Sequence, residues 1–168
     1  MVVHKQDYLR IISHAFLHAD WGHLFFNMLT LWFFGEMVEN YFIQLFSAGK
    51  FLYILLYLSG IIVSAIPTIL RYKNNQYYNS IGASGAVSAV LFAGILFNPH
   101  MSIFIMFIPI PIPAFLFGIA YLAYSQYMSR HSRDNINHDA HFYGAVFGFT
   151  FPIVFKPVLI ILFFQQLF

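Results

Sequence analysis

Residues 82–99 read GASGAVSAVLFAGILFNP, and this run gives the strongest indication of the chain's architecture. After GASG, every residue as far as Phe97 is small or apolar, which predicts a helix that starts near Ala83 and stops at Asn98-Pro99. At about 15 residues this helix is shorter than the roughly 20 residues that cross a bilayer. We therefore expect it to begin below the membrane surface.

The composition of the whole chain is that of a membrane protein. Of its 168 residues 60% are hydrophobic and only 8% are charged, which lies outside the usage of soluble domains. An all-α, polytopic membrane protein is predicted. Eight Lys and Arg against six Asp and Glu form no basic patch, so nucleic acid is not an expected partner. The absence of cysteine excludes a disulfide, a thiolate nucleophile and a cysteine-ligated metal.

Apolar run lengths and helix breakers predict five spanning helices. They run from about Gly22 to Tyr41, Lys50 to Leu70, Ala83 to Asn98, Pro113 to Met128 and His141 to Phe155, with Asp20 as a cap before the first. The prolines of IPIPIP predict an extended or re-entrant segment over 101–112. One domain is expected, with a leading loop over 1–21, a helical core over 22–155 and a C-terminal tail over 156–168, in which VLIILFFQQLF predicts a peripheral helix.

The GASG segment places a serine where a polar loop meets the short helix. Gly82 and Gly85 flank Ser84 and allow tight backbone geometry there, while the unpaired amides of the first helical turn favour a developing negative charge. Ser84 is therefore a candidate nucleophile. Taken alone, GASG fits better a packing face of small residues, because Gly85, Ala89 and Ala93 recur every four positions.

A second segment, HDAHFYGAVFG, places His141, Gly144 and Gly148 on one helix face. A glycine-lined face lets this helix approach the small residues beyond Ser84, close enough for the imidazole to act as a general base on the hydroxyl. Alternatively, His141 hydrogen-bonds a backbone carbonyl. Asp139 precedes it by two residues and points about 200° away around a helix, so it is not expected to orient the imidazole.

A third segment, HAFLHADWGHLFFN, carries three histidines and an asparagine ahead of and within the first span. His23 and Asn27 lie four residues apart on one helix face, and both side chains can donate hydrogen bonds to an oxyanion. His14 and His18 are expected instead to organise the loop through hydrogen bonds.

Together these segments resemble a rhomboid intramembrane serine protease. The matching motifs are HAFLHADWGHLFFN, WFFGEMVE, GASGA and AHFYGAVFG, which cover most of the chain in the family's order. The resemblance implies a dyad in which Ser84 is the nucleophile and His141 the general base. It also implies oxyanion and supporting roles for a group of residues around them: Asn27, His23, His18, His14, Gly82 and Gly85.

The resemblance further implies a fold and a setting. Rhomboids of the basic type have six transmembrane helices, of which five are visible here, and the family's first helix would lie upstream of Met1. The protein would be a multi-pass protein of a bacterial inner membrane, with lipid and transmembrane protein substrates as partners and with no cofactor or metal ion. Ser88 stands where some members carry a tyrosine that stacks on the histidine, so another group must orient His141, and Phe142 and Tyr143 are the candidates.

Two other functions fit parts of the pattern. A rhomboid-like pseudoprotease would bind transmembrane helices without cutting them, although the chain keeps both Ser84 and His141. A histidine-box metal enzyme would use the pairs His14/His18 and His138/His141, but it would leave GASG unexplained and lacks the further histidines and carboxylates of such sites.

Overall fold

Helices form over the apolar runs of the sequence and end at its prolines and polar loops. The computed structural model describes residues 9–75, 80–105, 108–131, 134 and 136–168. Its helices are α1 (Arg10–Ser13), α2 (Trp21–Leu45), α3 (Gly49–Tyr72), α4 (Ser84–Phe97), α5 (Ala114–His131), α6 (His138–Phe155) and α7 (Val158–Leu167), with a 3₁₀ turn at His14–Phe16 and strands β1 (Ser102–Ile105) and β2 (Ile108–Pro113).

Five of these helices, α2 to α6, correspond to the predicted spans, with ends that differ by a few residues. The largest difference is at the end of α2, which continues four residues past Tyr41 to Leu45. Helix α6 begins at His138 and not at His141, because the Asn137 side chain caps it and adds almost one turn. The leading loop contains α1 and the 3₁₀ turn, and its residues 1–8 lie outside the described residues. The tail forms the predicted helix, α7.

Helix α4 lies at the centre of the bundle. Every residue from Gly85 to Phe97 is buried, as expected of a helix that is apolar on all sides. Its 14 residues give a length of about 21 Å, well short of the roughly 30 Å of a hydrocarbon core. The other helices surround it, and the second turn of α4 contributes Ala89 and Val90 to the main apolar core.

Glycines let neighbouring helices touch α4 through their backbones. A Cβ at Gly144 or Gly148 of α6 would overlap the backbone of Gly85 or Ala89, respectively, so α4 and α6 run in the same direction in direct contact. On the other side, a Cβ at Gly60 of α3 would lie 3.3 Å from the Ala86 Cα. The predicted small-residue faces are thus packing faces between α4 and its neighbours.

The outer helices expose apolar side chains, as a lipid-facing surface requires. On α2 the exposed fractions are 86% for Trp21, 76% for Trp32 and 65% for Phe33. Among the described residues, Gly49–Tyr72 is by itself long and apolar enough to cross a membrane, and His138–Phe155 meets the same criterion together with Val158–Leu167, which bends away by 118°. Helix α2 carries polar residues at its start, and α4 is short and enclosed.

The proline-rich segment forms an antiparallel hairpin. Ser102 pairs with Pro113 and Ile103 with Ile112, followed by an irregularity in register. The extended backbone is confirmed over the described part of 101–112, while Met106 and Phe107 lie outside the described residues. The amide of Ala114 donates to the Met101 carbonyl at 2.9 Å, so α5 starts directly from the open end of this hairpin, where β1 begins and β2 ends.

Replacing Gly148 with valine should destabilise the bundle, because a side chain there overlaps the backbone of Ala89. We expect a clearly lower midpoint of thermal unfolding in detergent, since overpacking a core costs roughly 1–3 kcal/mol. Ala123→Val, on the exposed surface of α5, also introduces a valine by adding two methyl groups where there is room, and it should leave the midpoint unchanged. Equal midpoints for the two variants would contradict the close contact.

Candidate active site

Three helices begin at the same end of the molecule, and the candidate residues lie there. His23 near the start of α2 packs on Gly82, just before α4, and Val38 further along α2 packs near Gly94, so α2 and α4 are parallel. Helix α6 is parallel to α4 as well. The positive ends of three helix dipoles therefore gather at one place, which favours negative charge there.

Only one of these three N-termini has no side-chain cap. The Asp20 carboxylate accepts a hydrogen bond from the His23 amide at 2.8 Å and caps α2, as the sequence predicts. The Asn137 side-chain oxygen accepts one from the Ala140 amide at 3.0 Å and caps α6. Helix α4, which begins with Ser84, has no side-chain cap among the described residues. Its first amides therefore stay available for an anion.

The backbone before Ser84 makes a tight turn. Gly82 has a φ of 113°, in the left-handed region that glycine adopts readily, and its amide donates to the His14 carbonyl at 2.9 Å. A Cβ on Gly82 would lie 2.6 Å from Cε1 of the His23 ring. The predicted need for glycine at this position thus has two physical causes, the backbone angle and the adjacent imidazole.

Ser84 and His141 lie at the same end of the α4–α6 contact. Ser84 directly precedes Gly85, whose backbone touches Gly144, and His141 lies one turn before Gly144 on the same face of α6. Both residues are half-buried. Among the hydrogen bonds of the described residues, none joins the Ser84 hydroxyl to the His141 imidazole, so the two groups share one end of the bundle but are not bonded.

A tyrosine that the sequence analysis missed packs against His141. The rings of Tyr121, on α5, and His141 are stacked, with centroids 6.2 Å apart and planes 28° from parallel. The Tyr121 hydroxyl shares a hydrogen bond of 2.6 Å with the Ser88 hydroxyl. Phe142 and Tyr143, which the sequence offered for this place, pack edge to face on each other, and neither ring stacks on His141 among the described residues.

The two candidate oxyanion donors lie on the side of α4 that faces α2. The His23 ring packs on Gly82, two residues before Ser84. Asn27 follows one turn later on the same face of α2 and is 5% exposed. Its side-chain nitrogen is buried without a hydrogen-bond partner among the described residues. Such a donor is costly to leave unpaired, so it is available for an acceptor that enters the site.

His14 and His18 line the loop that leads to α2. The His14 ring donates from Nδ1 to the Arg10 carbonyl at 3.1 Å, and the His18 ring meets His23 edge to face at 5.1 Å between centroids. Burial lowers the pKa of His14 below its ordinary value, although the carbonyl contacts oppose it, and burial and then His23 lower the pKa of His18. Neutral imidazoles offer both a donor and an acceptor.

The charged residues near the start of α6 bind partners other than His141. The Asp139 carboxylate pairs with Arg71 of α3 at 2.9 Å, in agreement with the expectation that it does not orient His141. His138 is 3% exposed, and its Nε2 lies 3.2 Å from Asp134. No group of three or more His, Asp or Glu side chains in the described part of the chain converges as metal ligands would.

Asn137 links three segments around the site, which the sequence analysis did not foresee. Besides capping α6, its oxygen accepts from the Thr68 hydroxyl of α3 at 3.0 Å, and its nitrogen donates to the Ser80 hydroxyl at 2.6 Å. Ser80 lies four residues before Ser84. An asparagine directly before an apolar helix is a signal for a cap, and it could have extended the predicted helix.

Comparison with known proteins decides the family. A model of the rhomboid domain matches residues 5–157 of the chain. The chain belongs to the rhomboid family. Membership confirms the predicted fold class, an all-α polytopic bundle embedded in a membrane, and the resemblance on which that prediction was based.

Three curated relatives illustrate the match. The mitochondrial RHOMBOID-like protein 12 of Arabidopsis thaliana is 28% identical over 80% of this chain and 43% of its own length. The mitochondrial Rhomboid protein 1 of Saccharomyces cerevisiae is 28% identical over 86% of this chain and 42% of its own length. Rhomboid protease GluP of Bacillus subtilis is 32% identical over 54% of this chain and 16% of its own length. This rhomboid chain thus spans less than half the length of these relatives, and no solved structure matches it significantly.

Removing the Asn137 side chain should destabilise the end of the bundle that holds Ser84. We expect Asn137→Ala to lower the stability by at least the cost of a lost cap, roughly 0.5–2 kcal/mol, measured as a lower midpoint of thermal unfolding in detergent. Asn40→Ala, at an exposed position of α2, is the matched control and should behave like the wild type. A normal midpoint for Asn137→Ala would mean that its three hydrogen bonds do not hold the segments together.

Proposed function

We propose that this rhomboid is an intramembrane serine endopeptidase that hydrolyses peptide bonds in or near transmembrane segments of other membrane proteins. The observation that carries the proposal is the backbone contact between Gly85 and Gly144, because Ser84 and His141 adjoin it at the same end of two parallel helices. Family membership adds support, since one relative, GluP, is named a protease.

The reaction would follow the course of a serine hydrolase with a two-residue centre. His141 takes the proton of the Ser84 hydroxyl as that oxygen attacks the scissile carbonyl carbon, and then gives it to the departing amine. Water, deprotonated by His141, attacks the resulting ester and releases the second product. The two side chains are not bonded at rest, and catalytic hydrogen bonds often form only when substrate is bound.

Three donors would stabilise the oxyanion. The amide of Ser84 lies at the uncapped start of α4, the Asn27 amide is buried and unpaired among the described residues, and the His23 imidazole packs beside Gly82. Donors that are fixed before the reaction stabilise the charge without reorganising, and each contributes several kcal/mol at most, about 2.7–4 in measured cases.

The substrates and setting follow from the family resemblance and the apolar exterior. Transmembrane protein substrates would reach the site from the surrounding lipid. A helix must unwind locally to present an extended bond, so small or helix-breaking residues near the cut are expected. We further propose a bacterial inner membrane as the location and no cofactor for the reaction.

A rhomboid that binds helices without cutting them is the second candidate. The absence of a resting hydrogen bond between Ser84 and His141 is the observation that favours it. The retained serine and histidine favour the protease.

Cleavage of a reporter transmembrane helix by the purified chain in detergent distinguishes the two candidates. We expect Ser84→Ala and His141→Ala to abolish cleavage, because each removes one half of the dyad. A fluorophosphonate probe should label the wild type and not Ser84→Ala. Ser47→Ala, at an exposed serine between α2 and α3, should cleave and label normally. Binding of the reporter without cleavage would establish the non-catalytic function.

Loss of either side-chain oxyanion donor should slow turnover without unfolding the protein. We expect Asn27→Ala and His23→Ala to lower kcat by roughly 100-fold, because the lost bond is strongest in the transition state. The matched controls are Asn40→Ala and His131→Ala, both at exposed positions. Undiminished kcat in both Asn27→Ala and His23→Ala would remove these residues from the site.

A further inference from the structure

Among the described residues, the imidazole of His141 has ring contacts and no side-chain hydrogen bond. Among the described residues its neighbours are the face of Tyr121, at 6.2 Å, and the edge of His138, at 6.0 Å between ring centroids. No carboxylate or side-chain amide of the described residues bonds to it: Asp139 pairs with Arg71, and Asp134 lies beside His138. In three-residue serine hydrolases an acidic side chain holds the imidazole in its reactive orientation. Here that orientation has to come from another group.

The ring of Tyr121 is itself held rigidly. Its hydroxyl bonds to Ser88 at 2.6 Å, and its ring contacts Phe92 at 5.5 Å and Phe117 at 5.8 Å between centroids. A ring fixed at its hydroxyl end and along its sides presents a constant face to its neighbour. Aromatic faces at this separation attract each other by roughly 0.5–1.5 kcal/mol beyond the area that they bury.

The anchor of this ring is on the helix of the nucleophile. Ser88 follows Ser84 by four residues, so the two hydroxyls lie on one face of α4, separated by about 6 Å of helix rise. Tyr121 therefore sets the position of the His141 ring relative to α4, the helix that carries the Ser84 hydroxyl. A shift of α5 relative to α4 would be resisted by this bond.

We propose that Tyr121, anchored by Ser88, is a positioning residue that holds the His141 imidazole in the orientation required for its reaction with Ser84. This inference rests on the proposed protease function. Tyr121 does not touch the substrate or the reacting atoms in this scheme, and it acts only through the histidine.

Kinetics of three variants of the full chain test the proposal. Tyr121→Leu removes the stacked ring and should lower kcat by about 100-fold, with KM within about twofold of the wild type, because misorienting a reacting group affects the chemical step and not binding. Tyr121→Phe and Ser88→Ala keep the ring and remove only its anchor, so each should lower kcat by roughly 3- to 10-fold. Tyr127→Leu is the matched control on α5, where Tyr127 is 61% exposed and, among the described residues, stacks only on His131.

The double variant Ser88→Ala/Tyr121→Phe separates a shared bond from two independent effects. It should be no slower than the slower single variant, because both substitutions remove the same hydrogen bond. The proposal would be overturned if the fold-loss of kcat in the double variant equalled the product of the two single losses. It would also be overturned if Tyr121→Leu left kcat unchanged or raised KM alone. The midpoint of thermal unfolding of each variant is measured alongside, and a kcat that falls only in proportion to the folded fraction would overturn it as well.

Nuclear magnetic resonance of histidine-labelled protein gives a readout that does not depend on activity. The His141 resonance, identified by its loss in His141→Gln, should move in Tyr121→Leu, remain near its wild-type position in Tyr121→Phe, and not respond to Tyr127→Leu. An unmoved resonance in Tyr121→Leu would contradict the contact. If the resonance moves in Tyr121→Leu but the wild-type chain neither cleaves the reporter nor reacts with the fluorophosphonate probe, the proposed protease function is disproved and only the ring contact remains.

Discussion

The contact between the backbones of α4 and α6 is the constraint on which the site depends. Two helices approach this closely only if the touching residues have no side chain, and Gly85, Gly144 and Gly148 provide that condition. The same contact sets the register of the helices, and with it the level at which Ser84 and His141 lie. The stripe of small residues that forms the packing face therefore also brings the candidate residues Ser84 and His141 to one end of the bundle.

Polar groups from several segments meet at that end. Asp20 and Asn137 cap two of the three helices that begin there, while the third, which carries Ser84, keeps its first amides free of side-chain caps. A capped helix start is more stable, so the difference marks the helix at which a ligand can take the place of a cap. The surrounding histidines and the buried Asn27 add donors in the same small region.

Sequence patterns predicted the helices well and their tertiary contacts less well. Run length, breakers and the Asp20 signal locate the spans, because these depend on local chemistry and on the lipid. The hairpin pairing and the role of Tyr121 depend on contacts between segments distant in sequence, and no local signal marks them. Tyr121 is one of several tyrosines on α5, and only its meeting with Ser88 and His141 distinguishes it. The candidate site residues themselves were identified by motif, and their roles remain predictions.

Because α4 is enclosed from Gly85 to Phe97, no part of it has to match the thickness of the hydrocarbon layer. Hydrophobic mismatch acts on the outer helices, which tilt or deform the adjacent lipid, while neighbouring protein fixes the depth of Ser84. A thicker or thinner host membrane would move the headgroup plane relative to the serine and leave the serine in place within the bundle. For the proposed protease, the segment of a substrate helix that comes level with this hydroxyl would then change with the lipid in which both proteins reside.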